Sequence, residues 1–229
     1  MLIFFVYVPL HAFVYYFVAY YTMDINLRVK NIVLVGLFDT ASFDKYFFIK
    51  NEIIKESDIL PTSRFDAIGG IQVMCEKFEI VVLLNQIIIS SKIFDQEDED
   101  ISRIATLLIK GGDISSITAF GINFHWYSEN LPLSTVSKEL FYNDNINLFS
   151  TFFNEPDAHF GLYASKNFKN ARLKLDVKPA KFIDQDIIAF IFNFHVDVKN
   201  RLDNSEIIET LSDYGSFQKE SEKIISIYK

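Results

Sequence analysis

Residues 191–198 read IFNFHVDV, and this stretch decides the fold class. In an extended strand alternate side chains share a face, so Asn193, His195 and Asp197 lie together. The opposite face carries only apolar groups, namely Phe192, Phe194, Val196 and Val198. A strand with one polar and one apolar face is typical of an antiparallel sheet that has solvent on one side and a core on the other.

Two further segments alternate in the same way. Residues 122–126, INFHW, place Asn123 and His125 on one face and three large apolar side chains on the other. The polar face of residues 172–178 carries Arg172, Lys174, Asp176 and Lys178. The second half of the chain is therefore predicted to form a sheet with an aromatic buried face. We take four residues of its polar face as candidate binding residues: Asn123, Asn193, Arg172 and Lys174.

The remaining chain adds more strands than helices. Strands are predicted at 31–38, 67–76, 78–90, 116–128, 159–165, 171–179 and 187–199. Helices are predicted at 96–113, 134–141 and 205–228, while residues 43–54 suit either a short helix or a strand. Residues 96–113 have an apolar stripe formed by Ile101, Ile104, Ala105 and Leu108. Ser205 is the predicted N-cap of the last helix, and Gly215 is a predicted break in it.

Short links between strands favour antiparallel pairing over parallel winding. We therefore predict a single α+β domain over residues 23–229. Its mostly antiparallel sheet should have about six to eight strands, with two to four helices packed on it.

Composition excludes several classes of protein. The chain has 229 residues, of which 50% are apolar, so it can bury a core and is not intrinsically disordered. Its formal net charge of -8 argues against general nucleic-acid binding. The single cysteine, Cys75, excludes an intramolecular disulfide and Cys/His zinc clusters. A chain that cannot form such a disulfide fits a reducing compartment, so we expect a cytoplasmic protein. Cys75 lies in the strand-like run 71–76, so we expect a buried, inert thiol.

Residues 1–22 carry no charged side chain and match the length of a membrane span. One interpretation is an upstream extension, with translation beginning at Met23. Another is a membrane anchor, for which Arg28 and Lys30 would place the following domain on the cytoplasmic side. The third interpretation is that residues 1–22 are a signal peptide or a segment of the protein core. A membrane-anchored location is thus the alternative to a cytoplasmic one, and it holds only if residues 1–22 are genuine.

Catalytic motifs are absent from the sequence: it has no phosphate-binding glycine loop, no G-x-S-x-G and no H-E-x-x-H. We therefore expect a non-enzymatic binding or assembly module with a protein partner or a second copy of itself, and neither cofactor nor metal. The alternative is a metal-dependent hydrolase or nuclease-like enzyme. It would use His125, His195 and Asp197 if their strands were neighbours. The simpler interpretation of these three residues is the solvated face of a sheet.

Three segments together resemble a bacterial family. They are the strand 117–124 (ITAFGINF), of the type I-x-x-[IF]-G-[ILV]-x-[FY], the late strand 191–198 with the helix 205–228 after it, and the early strand 31–38. The chain resembles, over residues 23–229, a sporadically distributed family of uncharacterised α+β proteins. Basic residues that often follow the glycine strand in that family are replaced here by Asn123, His125 and Trp126. The resemblance implies a fold but neither an activity nor functional residues.

Overall fold

A computed structural model describes residues 23–94, 100–112, 117–129, 133–142, 153, 155, 157–198 and 204–229. In these residues one nine-stranded antiparallel sheet has the strand order β2-β3-β4-β5-β1-β6-β9-β8-β7. Its strands are β1 Ile25–Val35, β2 Arg64–Asp66, β3 Gly70–Met74, β4 Phe78–Val82, β5 Gln86–Ser91, β6 Ala119–Glu129, β7 Leu162–Phe168, β8 Ala171–Phe182 and β9 Gln185–Asp197. The helices are α1 Lys45–Lys50, α2 Asp100–Gly111, α3 Leu133–Phe141, α4 Ser205–Ser212 and α5 Tyr214–Ile225.

The sheet consists of two halves with the same order of elements. In the first half β1 is followed by α1 and by a meander, β2 to β5, whose last strand returns to pair with β1. In the second half β6 is followed by α3 and by the meander β7 to β9, which returns to pair with β6. The first strands of the two halves, β1 and β6, lie side by side at the centre. The α+β class and the antiparallel sheet are thus as predicted, with more strands and helices than expected.

Helix α5 packs on the aromatic face of β6 and β9. Trp126 on β6 donates a hydrogen bond from Nε1 to Oγ of Ser221 on α5, at 3.2 Å. The ring of Phe217 on α5 lies 5.0 Å from that of Phe194 on β9. The predicted apolar stripe of α2 is fully buried. One charged side chain, Lys30 of β1, is also fully buried on this face, across from Phe124.

The segment 78–90, predicted as one strand, forms the two strands β4 and β5. The chain turns at residues 83–85, where the Leu83 N–H donates to the Gln86 carbonyl at 2.8 Å and Leu84 is 68% exposed. Residues 78–90, FEIVVLLNQIIIS, contain neither glycine nor proline, which are the usual turn signals. The sequence therefore does not indicate a turn within this apolar segment. Each of the two strands has one buried face and one half-buried face.

The C-terminal helix also differs from the prediction. It divides into α4 and α5 at Asp213, two residues before the predicted break, and Gly215 lies inside α5. The N-cap of α4 is Asn204 rather than Ser205, which is the first helical residue. The ambiguous segment 43–54 contains the short helix α1, whose Asp44 side chain caps the Phe47 N–H at 2.7 Å.

Residues 1–22 lie outside the described residues. The acidic run before α2 and most of the segment 143–157 do so as well. Among the helices that the structure describes, none combines the length and the apolar character needed to cross a bilayer.

Gly70→Ala is expected to lower the free energy of unfolding by about 1–3 kcal/mol, because Gly70 has a φ of +93° that an alanine adopts only with strain. A β-carbon there would also lie 3.1 Å from the Val82 carbonyl oxygen. Gly215→Ala is the matched control. It meets nothing within 4 Å in α5 and should stabilise the protein by about 0.5–1 kcal/mol. Urea unfolding measures both, and equal effects of the two substitutions would contradict this account.

Candidate functional site

Polar side chains form one continuous row across seven strands on the face opposite α5. The register places one residue of each strand directly beside the next. In order from β4 to β7 the row consists of Glu79, Ser90, Asn31, Asn123, Asn193, Lys174 and Ser165. We call this set the polar row. The row exists because side chains alternate between the two faces of each strand, and because the register places a polar residue of each of these seven strands beside a polar residue of the next.

The centre of the polar row is a chain of three amides. Asn193 donates from Nδ2 to Oδ1 of Asn123 at 2.6 Å, and Asn123 donates from Nδ2 to Oδ1 of Asn31 at 2.7 Å. Within the described part of the chain, Asn31 Nδ2 and Asn193 Oδ1 at the two ends make no hydrogen bond. The half-buried row thus presents a donor at one end and an acceptor at the other.

Gly121 provides the space for this amide chain. It lies on β6 opposite His195. A β-carbon at Gly121 would approach Asn193 Nδ2 to 2.9 Å. A larger residue would therefore push the Asn193 amide away from Asn123. Gly121, the glycine of the strand 117–124, thus allows the hydrogen bond between Asn193 and Asn123.

Basic side chains extend the site toward the edge of the sheet. Lys174 on β8 lies beside Asn193, and Arg172, also on β8, lies beside His195. Arg172 reaches back over β7, donating to Oδ1 of Asn167 at 3.0 Å and to Oγ of Ser165 at 2.6 Å. All four candidate binding residues, Asn123, Asn193, Arg172 and Lys174, thus form one contiguous patch.

Residues 123–125 and 193–195 both read NFH and lie on the neighbouring strands β6 and β9, but their histidines are not adjacent. Asn123 pairs directly with Asn193 on antiparallel strands, so His125 and His195 lie two residues away in opposite directions. Four residues of strand separate them, which is roughly 14 Å. His195 Nε2 lies 3.0 Å from Asp197 Oδ1, whereas His125 faces Ile191 and Val29. Nor are the two segments equivalent parts of the two halves, because β6 corresponds to β1 and β9 to β5.

His125 should make stability depend on pH. Burial, and secondarily the Lys178 ammonium, lower the pKa of His125 below its ordinary value. The unfolded chain therefore binds this proton more tightly than the folded chain. The free energy of unfolding should then fall as pH drops through about 6.5, until the folded protein is also protonated. Urea unfolding at several pH values should show a smaller acid slope for His125→Gln.

Lys178→Met provides the control for this pH effect. It removes the repulsion from Lys178 but keeps the burial of His125, so it should raise the pKa of His125 without restoring the ordinary value. Titration of the imidazole by NMR measures this directly. An unchanged acid slope in His125→Gln would contradict the assignment.

Cys75 is buried, as expected. Its side chain is 2% exposed, and burial, reinforced by the Asp58 carboxylate, raises the pKa of the thiol to about 11. Because the thiolate is the reactive form, a thiol in this position is typical of an inert core residue.

No protein-family model matches the chain, and no curated protein matches its sequence. The resemblance to the bacterial family therefore stays a prediction. Within the described residues, no three histidine, cysteine or carboxylate side chains are grouped so that they could hold a metal ion.

The sequence alone did not point to Asn31 or Ser90. The predicted strand 31–38 begins at Asn31, whereas β1 begins six residues earlier, at Ile25. From Ile25 onward the buried residues include Ile25, Leu27, Lys30 and Ile32, with a register shift between Leu27 and Val29. This irregularity interrupts the alternation that would have assigned Asn31 to the polar face.

Proposed function

We propose that this protein is a non-enzymatic binding or assembly module whose recognition surface is the polar row together with Arg172. The observation that carries the proposal is the linked amide chain of Asn31, Asn123 and Asn193, with a spare donor and a spare acceptor at its ends. Amides that hold one another in place lose little side-chain entropy when a partner binds. They are thus prepared to pair with the polar groups of another protein.

The adjacent cations add charge to this surface. Among the described residues, Lys174 and Arg172 have no carboxylate within ion-pair distance. The nearest acidic neighbours are already paired, Asp176 with Lys178 at 2.6 Å and Asp197 with His195. A partner with carboxylates would complement the cations at this end of the polar row. Because the whole chain has a net charge of -8, the rest of its surface would repel such a partner.

The test compares charge reversal on and off the proposed surface. The full chain and two variants are used to capture partners from the native host, and light scattering after size exclusion reports self-association. Lys174→Glu should abolish capture or assembly. Lys110→Glu, an equal charge reversal at the end of α2, should leave it unchanged. A wild-type protein that remains a monomer and captures nothing overturns the proposal, as does equal capture by both variants.

The alternative function, a metal-dependent hydrolase or nuclease-like enzyme, is supported only by the His195–Asp197 contact. His125 lies too far along the sheet to join that pair in one site. Metal analysis of the purified protein separates the two functions. A stoichiometric metal lost in His195→Ala would favour the enzyme over the binding module.

A further inference from the structure

Among the described residues, the strand β7 is an edge of the sheet. It is last in the strand order and, in this part of the chain, pairs only with β8. Its first six residues are exposed, with Leu162 and Tyr163 at 41% and 64% exposure on opposite faces. Alternate residues of such a strand point their backbone N–H and C=O groups outward, where another strand can pair with them. Lysines often protect such edges, but the ammonium of Lys166 is paired with Glu220 on α5.

An apolar groove lies directly beside this edge. It has a volume of about 220 Å³ and runs between β7 and α5. Its lining includes Ala164, Leu173, Leu175 and Ile224, and the two leucines are buried core residues of β8. The side chain of Ala164 is opposite Leu175 and is too small to fill the groove. An apolar side chain of an added strand would fit there.

The opposite face of the same edge is basic. Arg172 extends over β7 through its hydrogen bonds to Asn167 and Ser165, so its guanidinium lies beside the position of an added strand. Lys174 is the next cation on this face. Because neighbouring side chains of a strand point to opposite faces, one strand could place apolar groups in the groove and carboxylates near these cations.

We infer that β7 binds an extended peptide segment of a protein partner as a tenth strand, with alternating apolar and acidic side chains. The apolar ones occupy the groove against α5, and the acidic ones face Arg172 and Lys174. Main-chain hydrogen bonds to β7 supply affinity, and the two faces supply specificity. The inference rests on the proposed function, because it names the chemistry of the partner that the module binds.

A second copy of this chain fits the edge less well. The sequence of β7, LYASKNF, contains one lysine and no acidic residue. Two β7 strands paired with each other would therefore offer no carboxylate to Arg172 or Lys174 of either copy. The charge of the edge favours a foreign segment over self-pairing.

The experiment selects binders from a phage-displayed library of random nine-residue peptides against the immobilised full chain. Selected peptides are then synthesised, and their binding is measured by fluorescence anisotropy. The blocking variant is Ala164→Trp, which fills the groove from an exposed position of β7. The matched control is Ala67→Trp, an exposed alanine next to β2 at the opposite edge of the sheet. Both keep the core intact, and circular dichroism verifies their folding.

We expect enrichment of peptides in which apolar and acidic residues alternate. Ala164→Trp should weaken their binding roughly tenfold or more, since it excludes one buried apolar side chain, and Ala67→Trp should not. Three results overturn the inference: no enriched peptide, enriched peptides without alternation, or binding that Ala164→Trp leaves unchanged. A dimer that Ala164→Trp dissociates also overturns it, in favour of self-pairing. If Lys174→Glu abolishes partner capture while Ala164→Trp does not, the proposed function stands and the edge site falls.

Discussion

Phe194→Ala is expected to lower the free energy of unfolding by about 3–5 kcal/mol. Phe194 is fully buried on the helix-covered face of β9. Its ring centroid lies 6.1 Å from that of Phe124, 5.7 Å from that of Phe168 and 5.0 Å from that of Phe217. The truncation would leave a cavity where β6, β7 and α5 meet. Urea unfolding followed by circular dichroism measures the loss.

Ile68→Ala serves as the control for this substitution. Ile68 is fully exposed in the turn before β3, so its truncation should change the free energy of unfolding by no more than about 0.5 kcal/mol. If Phe194→Ala were as mild as Ile68→Ala, the aromatic contacts between the sheet and α5 would not hold the second half of the fold together.

Asn123→Leu is expected to lower the free energy of unfolding by about 1–3 kcal/mol. The reason is that Asn31 Oδ1 and Asn193 Nδ2, both half-buried, lose their hydrogen-bond partner. Asn123 is the middle member of the amide chain, accepting from Asn193 and donating to Asn31. Leucine has a similar volume but neither donates nor accepts. Urea unfolding measures the loss, and hydrogen exchange of the Asn193 side-chain amide, which donates to Asn123 in the wild type, reports its release.

The triple variant Asn31→Val, Asn123→Val and Asn193→Val separates stability from recognition. It removes all three amides together, so none is left without a partner, and valine suits a strand. We expect the triple variant to have a free energy of unfolding close to that of the wild type, well above that of Asn123→Leu. We also expect that it no longer captures partners from the native host. A triple variant that remains as unstable as Asn123→Leu would show that the amide chain serves mainly to hold the sheet together.

Alternation predicted the faces of the second half without knowledge of the neighbours. Asn123, Asn193 and Lys174 lie on the polar face, and Phe124 and Phe194 are buried, as their spacing predicts. The stripe of α2 was predicted in the same way, because a period of 3.6 or of 2 is a local property of the chain.

Turns and termini were harder to predict. The turn at residues 83–85 joins β4 and β5 without glycine or proline, and the short β2 lies in a segment for which no strand or helix is predicted. The break between α4 and α5 falls at Asp213 rather than at the glycine that follows. Contacts between elements influence where an element ends, as in the hydrogen bond from Ser102 of α2 to the Leu211 carbonyl near the end of α4, and local propensity does not encode such contacts.

The amino-acid sequence by itself determined that the strand 191–198 has one polar and one apolar face, a pattern that predicts an antiparallel sheet. Only the tertiary structure decided which polar residues meet. Antiparallel pairing of β6 with β9 joins Asn123 to Asn193 and carries His125 and His195 roughly 14 Å apart. The physical reason is that alternation specifies the face of a side chain, whereas strand order and register arise from contacts between residues distant in sequence.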